Sequence, residues 1–506
     1  MHYIQDPHYN TSVDKDYDVV IVGGGVAGSH AAIAVSRFSK QGLSVCLVDR
    51  NNSSEFGKKT RSGWSCGDAV SKKSLEFACE NLGISYDRPE IEHDVEGVVV
   101  YSPDHESRVL FDGDGYILNR KAWAHKQLQH LVKAGVEVVH EFDARGLMVK
   151  DGSVSGVYGY DLRTKKEVQI KAKMVVDATG SASILRQNLP LKSFIEREID
   201  KDNDLIGTGR YIIEFERAAD DETWFDPKYC IIHLDQIIAP GGYSWVFPKS
   251  ESKMNVGLGV MRRLLETRNR MLDRNDTLKD LIEQYIAANR SIRNPTPSTS
   301  TLDSNNVFNI WQVPVRRQND CLVANGFAII GDAAWMPRPI DAGGIGPALE
   351  ASVLLGRCIA EALESGTADE ASLWRYNVEY VRRRGYQMAS FEVLRKYLQT
   401  LTNEEISFGM RYFLSEQDVE SIKRREHPRF PKLNSLVRLL LDADLRRAVR
   451  ERPKLAKGLR LTAEKSIRLI ALYEEYPESP MGFEAWHRRF SAELNDAITR
   501  LSPNNI

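Results

Sequence analysis

What this chain lacks narrows its class before anything it contains. No two cysteines stand at C-x-x-C spacing: Cys46, Cys66, Cys79, Cys230, Cys321 and Cys358 are scattered through 506 residues. That scatter argues against a zinc or iron–sulfur site, so no metal is expected, and it suits a reducing compartment. No run reaches the roughly 18 uninterrupted apolar residues of a membrane span, although 42% of the residues are hydrophobic, enough for an ordinary globular core. Neither sign of charge dominates: 68 Lys and Arg face 70 Asp and Glu, a net charge of −2, so no overall field points to nucleic acid. Met1 to Asp16 is polar and charged, with none of the apolar core of a secretory leader, and a cytoplasmic protein is expected. With no fixed-period repeat and no long low-complexity stretch, the length implies two or three domains or one large discontinuous one.

Among the features present, Gly23-Gly24-Gly25-Val26-Ala27-Gly28 organises the rest. The preceding Tyr17-Asp18-Val19-Val20-Ile21-Val22 is short, β-branched and apolar, the composition of a buried parallel strand. Small and apolar residues follow at helical spacing from Ser29 to Lys40. Gly23, Gly25 and Gly28 then occupy a strand-to-helix turn: the first permits the tight turn, the second the close approach of a pyrophosphate, the third helix-on-strand packing. The helix N-terminus adds free N–H groups and a positive dipole end. A second strand, Ser44–Val48, ends in Asp49, about 20 residues beyond Gly28, the offset of the acid that holds a ribose hydroxyl, with Arg50 beside it. A glycine turn that binds nothing is the bland alternative; flanking strand, helix and acid together favour a dinucleotide.

Further along, the polar segment Asn51 to Asp68 replaces the helix of a simple βαβ unit and carries Ser65-Cys66-Gly67-Asp68. Strands are expected at Gly97–Ser102 and Arg108–Phe111, a helix from Lys121 to Ala134 opened by Asn119, and a strand at Val136–Glu141. Gly156–Asp161 and Glu167–Ala172 read as a hairpin, and Lys173 to Gly180 as a separate buried strand ending in Asp177-Ala178-Thr179-Gly180. From about 195 to 315 the alternation is that of an antiparallel sheet, with one helical insertion near Leu264–Asn289. Phe327–Asp332 returns as a buried strand, Gly343 to Leu363 as a glycine-led helix, and everything beyond about 370 as helices.

Three glycine-turn elements therefore occur in order: the fingerprint with Asp49, Asp177–Gly180, and Gly331-Asp332-Ala333-Ala334 followed by Gly343-Gly344-Ile345. This order resembles the FAD-binding fold of the glutathione-reductase and aromatic-hydroxylase superfamily, in which the first element takes the ADP half and the Gly-Asp element the ribityl chain and flavin ring. No second G-x-G-x-x-G follows a strand, because Gly207-Thr208-Gly209 lacks the third glycine, so no nicotinamide domain is expected. A third signal is narrower. Tyr243-Ser244-Trp245-Val246-Phe247-Pro248 is followed, after eight residues, by Gly257-Leu258-Gly259. Alternation puts Tyr243, Trp245 and Phe247 on one face of a strand. The run matches the Y-x-W-x-F-P…G-x-G pattern of the geranylgeranyl reductase family, and Cys66-Gly67 matches that family's C-G turn. The resemblance covers roughly residues 17 to 365; no motif places the rest.

The resemblance implies a mixed α/β protein: a discontinuous Rossmann-like, three-layer FAD-binding domain (15–95, 117–190, 320–368), a β-rich prenyl-chain domain (96–116, 191–319) and a helical C-terminal domain (369–506). Carried over by position, it implies FAD contacts at Ala27, Asp49, Cys66, Gly67, Ala69, Arg120, Ala144, Asp332, Gly344 and Ile345, beside the fingerprint Gly23, Gly25 and Gly28, and Arg50 and Gly343. It makes Cys66 the catalytic candidate and Tyr243, Trp245 and Phe247 the substrate wall. The implied reaction saturates isolated double bonds of geranylgeranyl chains in ether lipids or related prenyl compounds. Reduced flavin supplies a hydride; with no carbonyl to stabilise a carbanion, protonation by Cys66 or water must lead or accompany it, and aromatic faces can steady the cationic character by cation–π attraction. A flavin monooxygenase or halogenase is the rival, since halogenases carry a similar W-x-W-x-I-P run; a flavoprotein–quinone oxidoreductase is disfavoured because no cysteine follows Cys358. The electron donor is external: ferredoxin, a nicotinamide, a deazaflavin or another reductant. A bilayer-dwelling substrate further implies peripheral contact with the inner face of the cell membrane. A candidate contact is Leu436 to Ile470, where Leu436, Val437, Leu439, Leu440 and Leu441 precede Arg446, Arg447, Arg450, Arg452, Lys454, Lys457 and Arg460; the alternative is a solvated helical face covering the flavin domain, since Asp442, Asp444 and Glu451 dilute the charge.

Overall fold

The computed structural model describes residues 16–60, 63–218, 221–300, 303, 307–413 and 443–502. These form two sheets and a helical C-terminal region. Tyr17–Val22 is the centre of the first sheet, parallel to Val45–Val48 on one side and to Glu167–Asp177 on the other. Glu137–Val139 extends the sheet beyond Val45–Val48 and Phe327–Ile329 beyond Glu167–Asp177, both parallel. The inner strands are almost wholly buried, as expected of a parallel sheet covered on both faces. The helix Val26–Phe38 lies against Ile345–Glu364, and the two approach so closely that a Cβ on Gly356 would stand 2.2 Å from that of Ala34.

The expected hairpin arm and the separate buried strand prove to be one strand, Glu167–Asp177. Its first half pairs antiparallel with Ser153–Asp161 and its second half parallel with Tyr17–Val22. The apolar pattern changes from alternating to continuous at Met174, just after the pairing passes from the half-exposed hairpin to the doubly covered sheet.

The second sheet runs in the order Ile292–Pro297, Leu205–Arg217, Lys253–Val260, Ser244–Ser250, Tyr229–His233, Ile91–Tyr101, Arg108–Leu118, Ala69–Ser71, with Phe308–Pro314 also on Leu205–Arg217. It is antiparallel except for one join, Tyr229–His233 alongside Gly97–Tyr101, which is parallel. Its membership includes Ala69–Ser71 and the whole of Ile91–Tyr101, so the sheet reaches earlier in the chain than the expected boundary near 96. The expected single helical insertion is two helices, Arg262–Leu272 and Leu278–Ala288, split by the left-handed Asp273. One face of the sheet packs on these helices through Leu281, Ile282 and Tyr285; the other faces a cavity.

The C-terminal helices are Glu370–Tyr380, Tyr386–Leu398, Asn403–Tyr412, Ala443–Glu451, Pro453–Glu474 and Phe483–Arg500. A buried ionic cluster ties them to the nucleotide-type sheet. Arg317 meets Asp320 at 2.6 Å and Glu392 at 3.3 Å, and the Tyr473 hydroxyl donates to Asp320 at 2.6 Å. Burial alone would raise the Glu392 carboxyl, but the charges of Arg317, Lys396, Arg316 and Arg395 together outweigh it and hold Glu392 down at about 2. No helix among the described residues is long and apolar enough to cross a membrane.

Candidate active site

Two of the three fingerprint glycines are required by the packing of the turn itself, and the third is not. Gly23 sits at φ +113°, where a Cβ would stand 2.4 Å from the Ala178 carbonyl oxygen. A Cβ on Gly28 would stand 2.0 Å from the Gly23 carbonyl oxygen. Gly25 differs: nothing lies within 4 Å of where its Cβ would be. It is the uncapped N-cap of Val26–Phe38, with no acid in the first turn, and with Val26 and Ala27 it lines the cavity. A bare helix N-terminus opening on unfilled space is the setting an anionic pyrophosphate requires.

Asp49 is 5% exposed and ties its strand to this turn. Its Oδ2 accepts the Gly24 N–H at 2.8 Å, while Oδ1 accepts the backbone and side-chain N–H of Asn51 at 2.7 and 2.9 Å. Burial pushes its pKa up against those hydrogen bonds. Arg50 is exposed, Ala144 is half-buried on Phe142–Lys150, and neither these nor Asp49, Gly23 and Gly28 line the main cavity. Asp177, in the second glycine element, is wholly occupied within its own turn. It accepts from the Thr179 N–H and hydroxyl, the Ser183 hydroxyl and the Arg186 N–H.

The third element converges on the first. Gly331, at φ +67°, would place a Cβ 2.7 Å from that of Ala27. Asp332 follows and pairs with Lys59 at 3.2 Å, a partner the sequence did not single out. Gly344 is the uncapped N-cap of Ile345–Glu364, and Gly343, Gly344 and Ile345 all line the cavity. Two bare helix N-termini thus open on one space.

Between them and the second sheet lies the Cys66 turn. Arg120, first residue of the helix capped by the Asn119 side chain, points Nη1 at Cys66 Sγ from 3.4 Å. Arg120 is 6% exposed and its Nε has no hydrogen-bond partner among the described residues. The Cys66 carbonyl accepts from Arg210 Nε at 3.2 Å and Asn255 Nδ2 at 3.0 Å. Asn255 also donates to Asp68 at 2.8 Å, and Asp68 stands 3.3 Å from the buried Lys249. Burial opposes the charge on Lys249, but Asp68 and Glu92 outweigh it and raise its pKa, so it stays an ammonium. Ala69 begins the edge strand beside this turn.

The three aromatics stand in a row on the cavity face. Tyr243 and Trp245 are edge to face at 6.1 Å, Trp245 and Phe247 tilted at 6.0 Å. The Trp245 indole N–H donates to Asn255 at 3.0 Å and the Tyr243 hydroxyl to the Asp341 carbonyl, so their polar atoms are occupied within the protein and their ring faces are apolar surface. Burial raises the Tyr243 hydroxyl far above its ordinary range, keeping it a neutral phenol. The glycines of the motif make room: a Cβ on Gly257 would stand 2.6 Å from the Trp245 ring, and one on Gly67 would stand 3.1 Å from Phe247.

The two helix N-termini, Asp332, the Cys66 turn, Arg120 and the three aromatics border one cavity of about 2520 Å³. The sheet was expected to wall a prenyl tunnel; the opposite wall, which no motif signalled, is helical. It is formed by Phe391, Leu394 and Leu398 of Tyr386–Leu398, Ile406 and Met410 of Asn403–Tyr412, and Leu459 of Pro453–Glu474. Of the expected membrane segment, Leu436, Val437, Leu439, Leu440 and Leu441 lie outside the described residues. Arg447 pairs with Glu451 at 2.7 Å and Arg452 with Glu404, so part of its basic charge is neutralised within the chain.

Comparison with known proteins accords with this geometry. The family profile for the geranylgeranyl reductase catalytic domain matches residues 212–294, and that for FAD dependent oxidoreductases residues 18–188. The chain is 30% identical to digeranylgeranylglycerophospholipid reductase of Sulfolobus acidocaldarius over 96% of its own length and 99% of the relative's. It is 31% identical to the enzyme of the same name from Methanosarcina acetivorans over 72% of its length and 80% of the relative's. The first of these alignments runs past residue 365 into the helices that carry no motif. Among solved structures, a geranylgeranyl bacteriochlorophyll reductase-like protein from Thermoplasma acidophilum superimposes with a TM-score of 0.66 at 23% identity, covering 87% of this chain and 99% of the other. The myxobacterial chondrochloren halogenase CndH does so with a TM-score of 0.59 at 19% identity, covering 85% and 91%.

Proposed function

The chain belongs to the family of digeranylgeranylglycerophospholipid reductases, and from that premise we propose how its main cavity divides the work. It is an FAD-dependent oxidoreductase that saturates carbon–carbon double bonds of geranylgeranyl chains, and its substrate is a prenyl lipid. The observation that carries the division is the continuity of the cavity, from two bare helix N-termini, past the Cys66 turn, to a wall of aromatic and aliphatic side chains.

The residues fit FAD. Gly25, Val26 and Ala27 would hold the pyrophosphate through backbone N–H groups, with Gly23 and Gly28 shaping the turn, and Asp49, Arg50 and Ala144 would serve the adenosine end. Asp332, Gly343, Gly344 and Ile345 would hold the ribityl chain and ring, with Arg120, Cys66, Gly67 and Ala69 as further contacts of the flavin. In this division the nucleotide part comprises 15–95, 117–190 and 320–368, the prenyl part 96–116 and 191–319, and the helical part 369–506. Reduced FAD, when bound, supplies the hydride. The other alkene carbon needs a proton, and Cys66 is placed to give it from Sγ, with the Arg120 guanidinium steadying the thiolate until water reprotonates it. Tyr243, Trp245 and Phe247 hold the chain and face the developing positive charge with their rings. Electrons come from an external ferredoxin, nicotinamide or deazaflavin: Gly207-Thr208-Gly209 lies inside the strand Leu205–Arg217, not at a turn that would cradle a second nucleotide. A prenyl lipid resides in a bilayer, so the enzyme works at a membrane surface.

The test is anaerobic. With FAD chemically reduced and oxygen excluded, a geranylgeranyl lipid is expected to be converted to its dihydro and further reduced products, followed by mass spectrometry. Consumption only in the presence of oxygen would favour the halogenase-like reading that shares this fold. In the same assay, at matched FAD occupancy, Cys66→Ala is expected to lose about a hundredfold in turnover, the lower end of the usual range for a positioned general acid. Full turnover would assign the proton to water.

A further inference from the structure

We propose that the C-terminal end of the helix Arg262–Leu272, together with Ile237 on the adjoining loop, is the surface through which this protein seats itself on an anionic lipid bilayer. The helix carries Leu264, Leu265, Arg268, Met271 and Leu272 at the i, i+3, i+4 spacing of one face. At its start that face is covered: Leu264 packs near Met261 and Gly241, and Leu265 joins the core beneath the sheet. At its end the same face runs off the protein into solvent. Met271 is 76% exposed and Leu272 42%. Arg268, buried and paired with Asp276, donates through Nε to the Ile237 carbonyl at 2.9 Å, which brings the loop alongside this stretch of the helix. Ile237 is itself 43% exposed. Three large apolar side chains thus stand clear of the protein on one side.

Two observations identify the occupant. The first is charge: residues 262–276 hold five arginines against three acids. Arg262 pairs with Asp202, and Arg268 and Arg274 with Asp276, which leaves Arg263 and Arg270 exposed on this helix with no ion pair among the described residues. Apolar tips among arginines match the interface of an anionic leaflet, where the tips enter the acyl boundary and the guanidinium groups meet phosphates. The second is continuity with the cavity. Leu234 and Gln236, just before Ile237, and Gly241 and Gly242, just after it, line the cavity. The loop they belong to is stitched to the opposite wall: the Gln236 N–H donates to Asn403, and Gln399 donates to the Gly241 carbonyl. The exposed isoleucine therefore stands on the rim where sheet wall and helix wall meet. A prenyl chain leaving the bilayer beneath it would enter the cavity without exposing its apolar surface to water.

Such docking presupposes the prenyl-lipid substrate, and the experiment separates the two. Holoenzyme is floated with vesicles of equimolar phosphatidylglycerol and phosphatidylcholine and with vesicles of phosphatidylcholine alone. Turnover is then measured on a geranylgeranyl lipid embedded in the anionic vesicles and on the same lipid dispersed in detergent. The variants are M271D/L272D, Ile237→Asp, and Met481→Asp as an exposed control remote in sequence, each checked for an unchanged melting temperature. Wild type is expected to float with anionic vesicles and to lose binding at high salt. M271D/L272D is expected to lose at least tenfold in flotation and in vesicle turnover, Ile237→Asp somewhat less, and Met481→Asp nothing. Turnover on detergent-dispersed lipid is expected to stay unchanged in all three. Undiminished flotation of M271D/L272D, or a wild type that floats with neither vesicle, would overturn the docking surface. A wild type that reduces neither form of the lipid would overturn the substrate itself.

Discussion

Gly25 is the fingerprint glycine at which folding and the proposed cofactor contact can be separated. Gly23 and Gly28 cannot take a Cβ without meeting backbone oxygen, whereas a Cβ at Gly25 would enter empty space. Gly25→Ala is therefore expected to leave the apoprotein's thermal unfolding unchanged while weakening FAD by at least tenfold, read by flavin fluorescence on titration, because the methyl would occupy the place proposed for the pyrophosphate. Unchanged FAD affinity would move the pyrophosphate away from this turn. The three glycines were legible in the sequence because their tasks are local: a positive φ, an approach to the next turn, an approach to a ligand. Lys59 was not, since its pairing with Asp332 spans most of the chain and no spacing rule connects them.

At the scale of elements, the aromatic strand Ser244–Ser250 and its neighbour Lys253–Val260 act as one unit with the Cys66 turn, and Asn255 is the joint. Its side chain accepts from Trp245 and donates to the Cys66 carbonyl and to Asp68. Asn255→Leu keeps the volume but leaves a buried indole N–H and a buried carboxylate each short of one partner. The expected cost is about 1–3 kcal/mol per orphaned group, seen in denaturant unfolding, with a turnover loss of tenfold or more at matched FAD occupancy. A variant as stable and active as wild type would show that Trp245 and the turn are held by packing alone. The sequence displayed the ring row, because strand alternation puts every second residue on one face. It displayed neither Asn255 nor the helical wall. Phe391, Leu394, Ile406 and Met410 sit at ordinary helical spacing and read as core until tertiary packing leaves a cavity in front of them.

For the whole molecule, stability depends on pH through histidines that belong to different parts of the fold. His30, against Tyr86 and Trp123 in the nucleotide-type domain, accepts from the Tyr86 hydroxyl, and burial lowers its pKa from 6.5 to about 4. His233, under the second sheet and hydrogen-bonded to Tyr285, is lowered by burial to about 3. Both are neutral in the folded protein at pH 5, where the unfolded chain has already taken up both protons. Their contribution is complete above pH 6.5 and is lost progressively as pH falls from there toward 4 and 3, by about 2 kcal/mol each at pH 5. His487 works the other way: its hydrogen bond to Asp320 raises its pKa above 6.5, so what it contributes is complete below that value and fades as pH rises through the folded pKa. It is one half-buried group against two buried ones. The carboxylates held low by Arg317, Asp320 and Glu392, keep their contribution until pH falls below the ordinary carboxylate range, so they add nothing to the change between pH 7 and 5. The midpoint of thermal unfolding is therefore expected to fall by a few degrees between pH 7 and 5, about 1 °C per kcal/mol in a chain of this length. Differential scanning calorimetry at constant ionic strength and scan rate reads it directly. A midpoint that holds or rises over that interval would mean that His30 and His233 are protonated in the folded protein, and the neutral, buried hydrogen bonds to Tyr86 and Tyr285 would have to be redrawn.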